Sequence, residues 1–185
     1  MDVDAVAAVT REAFLRSLLT ELTESLEYVV GAEEAAGHIG LAAQRVGDAI
    51  GDIYTRGLEG GRLDGEQATA VLVDLYRRIE GDLHVVSADE ERIVIGNNSC
   101  PFGQGIVGHR ALCTMTSGLV GTVTAQHTGY ARVDLPETIA ESGLRCLIVV
   151  HLRPGRGAEA GGEEYFGGDP VAEAPLPPCL GAGRR

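Results

Sequence analysis

The chain has 185 residues, 44 % of them hydrophobic, with 27 acids against 15 bases and a formal charge of −12. That is enough chain for one domain with a real core, and too acidic for direct binding to nucleic acid or to an anionic membrane surface. The longest apolar runs, such as Cys146-Leu147-Ile148-Val149-Val150, fall far short of the roughly 18–20 residues that span a bilayer, and acids stand where a secretory leader carries bases, so the expected location is the cytoplasm.

Residues 4–29 carry a helical pattern, with Val6, Val9, Phe14, Leu15, Leu18, Leu19, Leu22 and Leu26 at spacings of three and four. Gly31 stops it. A second helix is predicted over 32–56, striped by Ile39, Ala43, Val46, Ile50 and Ile53. Its glycines, Gly37, Gly40 and Gly47, suit close helix approach or a ligand-facing surface, or reflect only a glycine-rich composition. Gly57, Gly60 and Gly61 end it. A third helix begins at Asp64, where Asp64-Gly65-Glu66-Gln67 has capping-box spacing.

At Gly81 the period changes. Residues 82–87 and 92–96 read as a hairpin about Ala88-Asp89-Glu90-Glu91. A polar loop, 97–103, precedes a helical stretch over 105–126, and 130–140 with 145–153 form a second hairpin. From Pro154 the composition of Gly, Pro, Ala and Glu predicts a disordered tail. The expected fold is α+β: N-terminal helices on a small antiparallel sheet built from two hairpins with a helix between them. The expected organisation is a docking or dimerisation helix over 1–30, an α+β domain over 31–153 and the tail over 154–185.

Four cysteines are present. Cys100, Cys113 and Cys146, spaced Cys-x12-Cys-x32-Cys, fall in a loop, a helix and the start of a strand, while Cys179 falls in the proline-rich tail. In a reducing compartment such thiols read as metal ligands, redox groups or inert packing. Three thiols on three elements can converge, and thiolates suit iron–sulfur clusters, zinc and copper(I). His109, one helical turn before Cys113, or His127 at the helix end could supply a fourth ligand. A Cys113–His109 nucleophilic pair is the enzymatic alternative. His38, His84 and His151 are scattered, and Gly103-Gln104-Gly105-Ile106-Val107-Gly108 matches GxGxxG in form but follows a cysteine loop rather than a strand. Asp134 and Glu137 read as a polar strand face.

The strings Asn98-Ser99-Cys100-Pro101-Phe102-Gly103, Leu112-Cys113-Thr114-Met115 and Gly143-Leu144-Arg145-Cys146-Leu147-Ile148-Val149 resemble the methanogen output domain, a sensor or output module of prokaryotic signalling proteins. They are also similar to the cysteine-bearing C-terminal region of the iron–sulfur-sensing repressor of cluster assembly. The Cys-x12-Cys step matches that repressor's first two ligands; its third falls at His127 here, and Cys146 comes a few residues late for its last. Gly37-His38-Ile39-Gly40 resembles vinyl-4-reductase-type sensor domains. The resemblance covers roughly residues 30–153. It implies a sensor domain that holds an iron–sulfur cluster, or alternatively zinc, through Cys100, Cys113 and Cys146. With no helix-turn-helix pattern in the sequence, such a domain would signal through a partner protein or a homodimer. The rival expectations are an interaction module with structural zinc or buried thiols, and a small cysteine-dependent redox enzyme.

Overall fold

The computed structural model describes residues 10–56, 62–155 and 161–168. Helix α1 (Arg11–Val30) starts where the Thr10 hydroxyl accepts from the Ala13 N–H at 3.1 Å. Gly31, at φ +89°, separates it from α2 (Ala32–Thr55) in a conformation that a side chain would strain. Helix α3 (Gly65–Arg78) opens with the predicted capping box: Asp64 Oδ1 accepts from Gln67 N–H at 2.8 Å, and Gln67 Oε1 accepts from Asp64 N–H at 3.0 Å.

Strands β1 (Leu83–Ala88) and β2 (Arg92–Asn97) form the first hairpin. Two 3₁₀ turns, Gly103–Ile106 and Arg110–Leu112, lead into α4 (Cys113–Thr128), and β3 (Tyr130–Glu137), β4 (Cys146–His151) and β5 (Glu163–Phe166) follow. The described strands make one antiparallel sheet in the order β1-β2-β4-β3-β5. The class is α+β, as expected. The two hairpins join because β2 pairs with β4, from Arg92 opposite His151 to Asn97 opposite Cys146.

Helix α4 lies at the centre of the molecule. It packs on α2, α3 and the sheet, so its residues are buried nearly all round, Ser117 through Ala125 without a break. The inner sheet face supplies Ile93, Ile95, Ile148, Val150, Val133, Ala131 and Tyr165 to the same core. Small residues set the α2–α4 approach. A Cβ on Gly118 would stand 2.7 Å from the Ala43 Cβ, and one on Gly47 would stand 3.1 Å from the Thr122 Cβ. Gly47 thus serves helix packing, whereas a Cβ on Gly40 would only touch the Thr114 Cβ at 3.9 Å and Gly37 has open space around it. Gly118→Val should cost about 1–3 kcal/mol in a urea titration, because the two backbones must separate. Gly37→Ala, exposed in mid-helix, should be neutral or stabilise by up to about 1 kcal/mol.

Two expectations are corrected by the structure. Residues 105–126 are not one helix: the α-helical hydrogen bonding starts only at Cys113, after the two 3₁₀ turns. And 154–185 is not uniformly without structure, because Glu163–Phe166 pairs with β3, Tyr130 opposite Phe166 and Val133 opposite Glu163. The rest of the expected tail beyond residue 168, with Cys179, lies outside the described residues, as do 1–9 of the predicted first helix and the glycines at 57, 60 and 61.

Candidate functional site

Cys100 follows β2 in a tight turn, its carbonyl accepting from Gly103 N–H at 2.8 Å. Arg16 of α1 clamps that turn, its Nε donating to the Pro101 carbonyl at 3.0 Å and its other nitrogen pairing with Glu80. Cys113 is the first residue of α4 and is buried with Ile106, Leu112 and Ala140; Cys100 and Phe102 pack against that cluster. Cys146 is the first residue of β4, and its sulfur accepts from the Ile139 N–H at 3.4 Å.

The three thiols share one neighbourhood. Burial pushes the Cys113 thiol up to about 11, and the nearby Cys146 adds to the shift. Burial also raises Cys100, with Cys146 contributing against the pull of the Phe102 N–H and Arg16, and it raises Cys146, with Glu137 contributing. Tyr76 lies buried beneath them and feels all three; burial holds its hydroxyl far above the ordinary phenol range. At neutral pH the thiols are therefore protonated, unlike a reactive cysteine. Among the described residues no three His, Cys, Asp or Glu side chains stand close enough to chelate one ion as they are. Soft donors are gathered, then, but taking up a metal would require the thiols to close in and release protons.

Neither histidine completes the set. His109 precedes the Arg110–Leu112 turn with φ −107° and ψ 62°, so it is not a helical turn before Cys113. Its Nε2 lies 3.4 Å from Glu24 Oε1 on α1. His127 is fourteen positions further along α4 than Cys113, about 21 Å at 1.5 Å per residue, and cannot share a site with it. There its Nδ1 accepts from the Leu63 N–H at 3.3 Å, and its buried Nε2 has no partner among the described residues.

His127 has a consequence for pH. Burial, with Arg62 adding, lowers its pKa below the ordinary histidine value of about 6.5, against a weaker pull from Asp52. The unfolded chain then binds the proton first, so this residue's contribution to stability is full above about 6.5 and falls as pH drops towards the lower folded value. Urea midpoints measured from pH 7.5 to 5.5 should fall for the parent and fall less for His127→Gln.

Residues missed in the sequence frame the site. In the sequence Arg16 is one polar position on a helix face and carries no mark of its contact with the Cys100 turn. Asp134 is not an exposed strand residue but is buried: its Oδ2 accepts from Arg132 at 3.3 Å and lies 3.0 Å from His151 Nε2. The signal available was three polar residues, Arg132, Asp134 and His151, inside apolar strands.

Residues 18–151 match the family model described as methanogen output domain 1. The chain belongs to that family. The match runs from within α1 to the end of β4 and takes in all three cysteines of the site, which makes the chain an output domain by family. No curated protein matches it. The likeness to the cluster-assembly repressor accordingly rests on the cysteine spacing alone. No described helix of this output domain is long and apolar enough to cross a membrane.

Proposed function

We propose that this output domain is a signalling module whose sensing element is the thiol group of Cys100, Cys113 and Cys146. In this reading the three thiols take up an iron–sulfur cluster or another thiophilic metal, zinc being the alternative. Its state is passed through α1 to a signalling partner or to a second copy of the chain. The observation that carries the reading is the convergence of three cysteines from a loop, a helix start and a strand start on one half-buried spot that α1 grips. Arg16 and Glu24 tie one side of α1 to the Cys100 turn and to His109, while Phe14, Leu15, Leu18 and Leu22 remain exposed on it. A movement of the Cys100 turn or of the start of α4 would thus be felt by a helix with a free apolar stripe. The acidity of the chain favours a protein partner over nucleic acid.

Anaerobic purification tests the reading. The protein should carry iron and sulfide, with thiolate-to-iron absorption in the visible. One tightly held zinc would shift the site to a structural role. Folded, metal-free protein after anaerobic reconstitution would remove the metal.

A second reading has its own support. The thiols pack in an apolar cluster, are protonated and form no ready chelate, which suits an interaction module with buried cysteines. The raised thiols also count against a cysteine-dependent redox enzyme.

A further inference from the structure

An amphipathic helix on the surface of a domain normally turns its apolar stripe to the core. Helix α1 does the reverse. A line of covered residues runs through Ala13, Arg16, Thr20 and Thr23, and over those turns it holds no large apolar side chain. Thr20 and Thr23 return their hydroxyl hydrogen bonds to carbonyls of the same helix, those of Arg16 and Leu19. Among the described residues, no side chain of α1 belongs to either core cluster. The large apolar residues stand on the other side. Leu15, Leu18, Leu22 and Val29, flanked by Phe14 and Leu19, are all exposed, Phe14 by 60 % and Leu22 by 57 %. A contiguous apolar patch of this kind marks an interaction surface.

The pattern of the face suits another copy of itself. Leu15, Leu18, Leu22, Ser25 and Val29 follow spacings of three, four, three and four, the seam of a two-helix coiled coil. No acid interrupts that seam, although the chain carries a charge of −12, so two copies approach there with least repulsion. Charge also runs along the helix. Arg11 stands at its start, Glu21, Glu24 and Glu27 fall in its second half, and its last turn holds no base. Two copies laid antiparallel bring each basic start to the other's acidic end and oppose their helix dipoles, whereas parallel copies would set acids beside acids. The antiparallel pair is isologous, each α1 complementing the other about a two-fold axis. The exposed surface of the six apolar side chains is on the order of 550 Å²; a standard interface takes about 800 Å² from each partner, and Arg11 and Tyr28, both exposed at the ends of the stripe, supply the remainder.

We propose that the occupant of this face is a second copy of the chain, α1 pairing antiparallel with α1 of its partner, with Leu18 and Leu22 of each copy at the centre of the contact. The inference rests on the role given to α1 in the proposed function and names its partner. The covered side of the same helix grips the Cys100 turn through Arg16, so the pairing joins two thiol sites through two adjacent helices. The pairing itself needs no metal.

Sedimentation velocity of the full chain, reduced and metal-free, at about 1 to 100 µM tests it. The parent should sediment as a dimer at the upper end of that range. Leu18→Ala combined with Leu22→Ala should weaken the dimer about 100-fold, because four leucines are lost across the two-fold contact. Alanine is the better helix former, so circular dichroism should show the helix content kept. Arg11→Gln should weaken the dimer about two- to three-fold at low salt and not at about 0.5 M NaCl. Val86→Ala, on the exposed edge strand β1, should leave it unchanged. A monomeric parent at about 100 µM overturns the proposal and leaves the stripe to a different protein. A dimer that survives the loss of both leucines, or that dissociates with Val86→Ala, places the contact elsewhere and overturns it too. A tighter dimer with Arg11→Gln would overturn the antiparallel arrangement. Because these runs contain no metal, a failure to pair and a failure to load iron or zinc are separate results.

Discussion

Cys100→Ser, Cys113→Ser and Cys146→Ser should each abolish metal loading, while Cys179→Ser should load like the parent. Serine is nearly isosteric with cysteine but a poor soft-metal ligand, so the series separates ligation from packing. Loss of one direct ligand should exceed the ~10–100-fold loss of affinity that follows removal of an outer hydrogen-bond partner. Three thiols from three elements also leave little redundancy, because the turn after β2, the start of α4 and the start of β4 each contribute one. His127→Ala should load normally, since the length of α4 separates it from Cys113. His109→Ala should also load, because its partner is Glu24 rather than a sulfur. Iron and sulfide content after anaerobic reconstitution measures all six variants. Normal loading by the three serine variants would leave the thiols as core packing, and a loss at Cys179→Ser would bring the C-terminal segment into the site.

The sequence revealed local structure well and long-range structure poorly, for a physical reason. The stripe of α1, the capping box at Asp64 and the β1–β2 hairpin are set by residues within a few positions of one another, where periodicity and turn chemistry act. The joining of the hairpins through β2 and β4 depends on contacts some fifty residues apart, and the individual strand patterns say nothing of it. The start of α4 is not legible in the sequence because 3₁₀ turns carry nearly helical spacing, so that His109 reads as one helical turn before Cys113 although it lies outside the helix. The cysteines could be singled out from their polar and glycine-rich contexts. Their convergence could be drawn only as an expectation, since it depends on the β2–β4 pairing that sets Asn97 opposite Cys146 and on the packing of the Cys100 turn against the start of α4. Arg16 and Tyr76 were invisible as site residues because one is an ordinary helix-face arginine and the other an ordinary core aromatic until the Cys100 turn folds against them.

Strand β5 gives the largest stability prediction, and it rests on one residue. Glu163-Glu164-Tyr165-Phe166 is a short run in a stretch whose composition reads as tail, yet Tyr165 is buried in the main core. Its ring lies against Gly121 of α4 so closely that a Cβ there would overlap it. Its hydroxyl donates to Glu163 Oε2 at 2.6 Å and lies 2.9 Å from Ser117 Oγ, which is therefore the donor in that second bond. Tyr165→Ala removes a large core side chain that the neighbouring backbone cannot replace, and should cost about 3–5 kcal/mol. Tyr165→Phe keeps the ring and loses only the two hydrogen bonds, leaving Ser117 to find another acceptor, so about 0.5–1.5 kcal/mol is expected. Urea denaturation of both variants gives the two numbers, and limited proteolysis should cut Tyr165→Ala near residues 161–168 well before the parent. If Tyr165→Ala lies within about 0.5 kcal/mol of the parent, as for an exposed position, β5 is not docked in solution and the stretch behaves as its composition alone suggested.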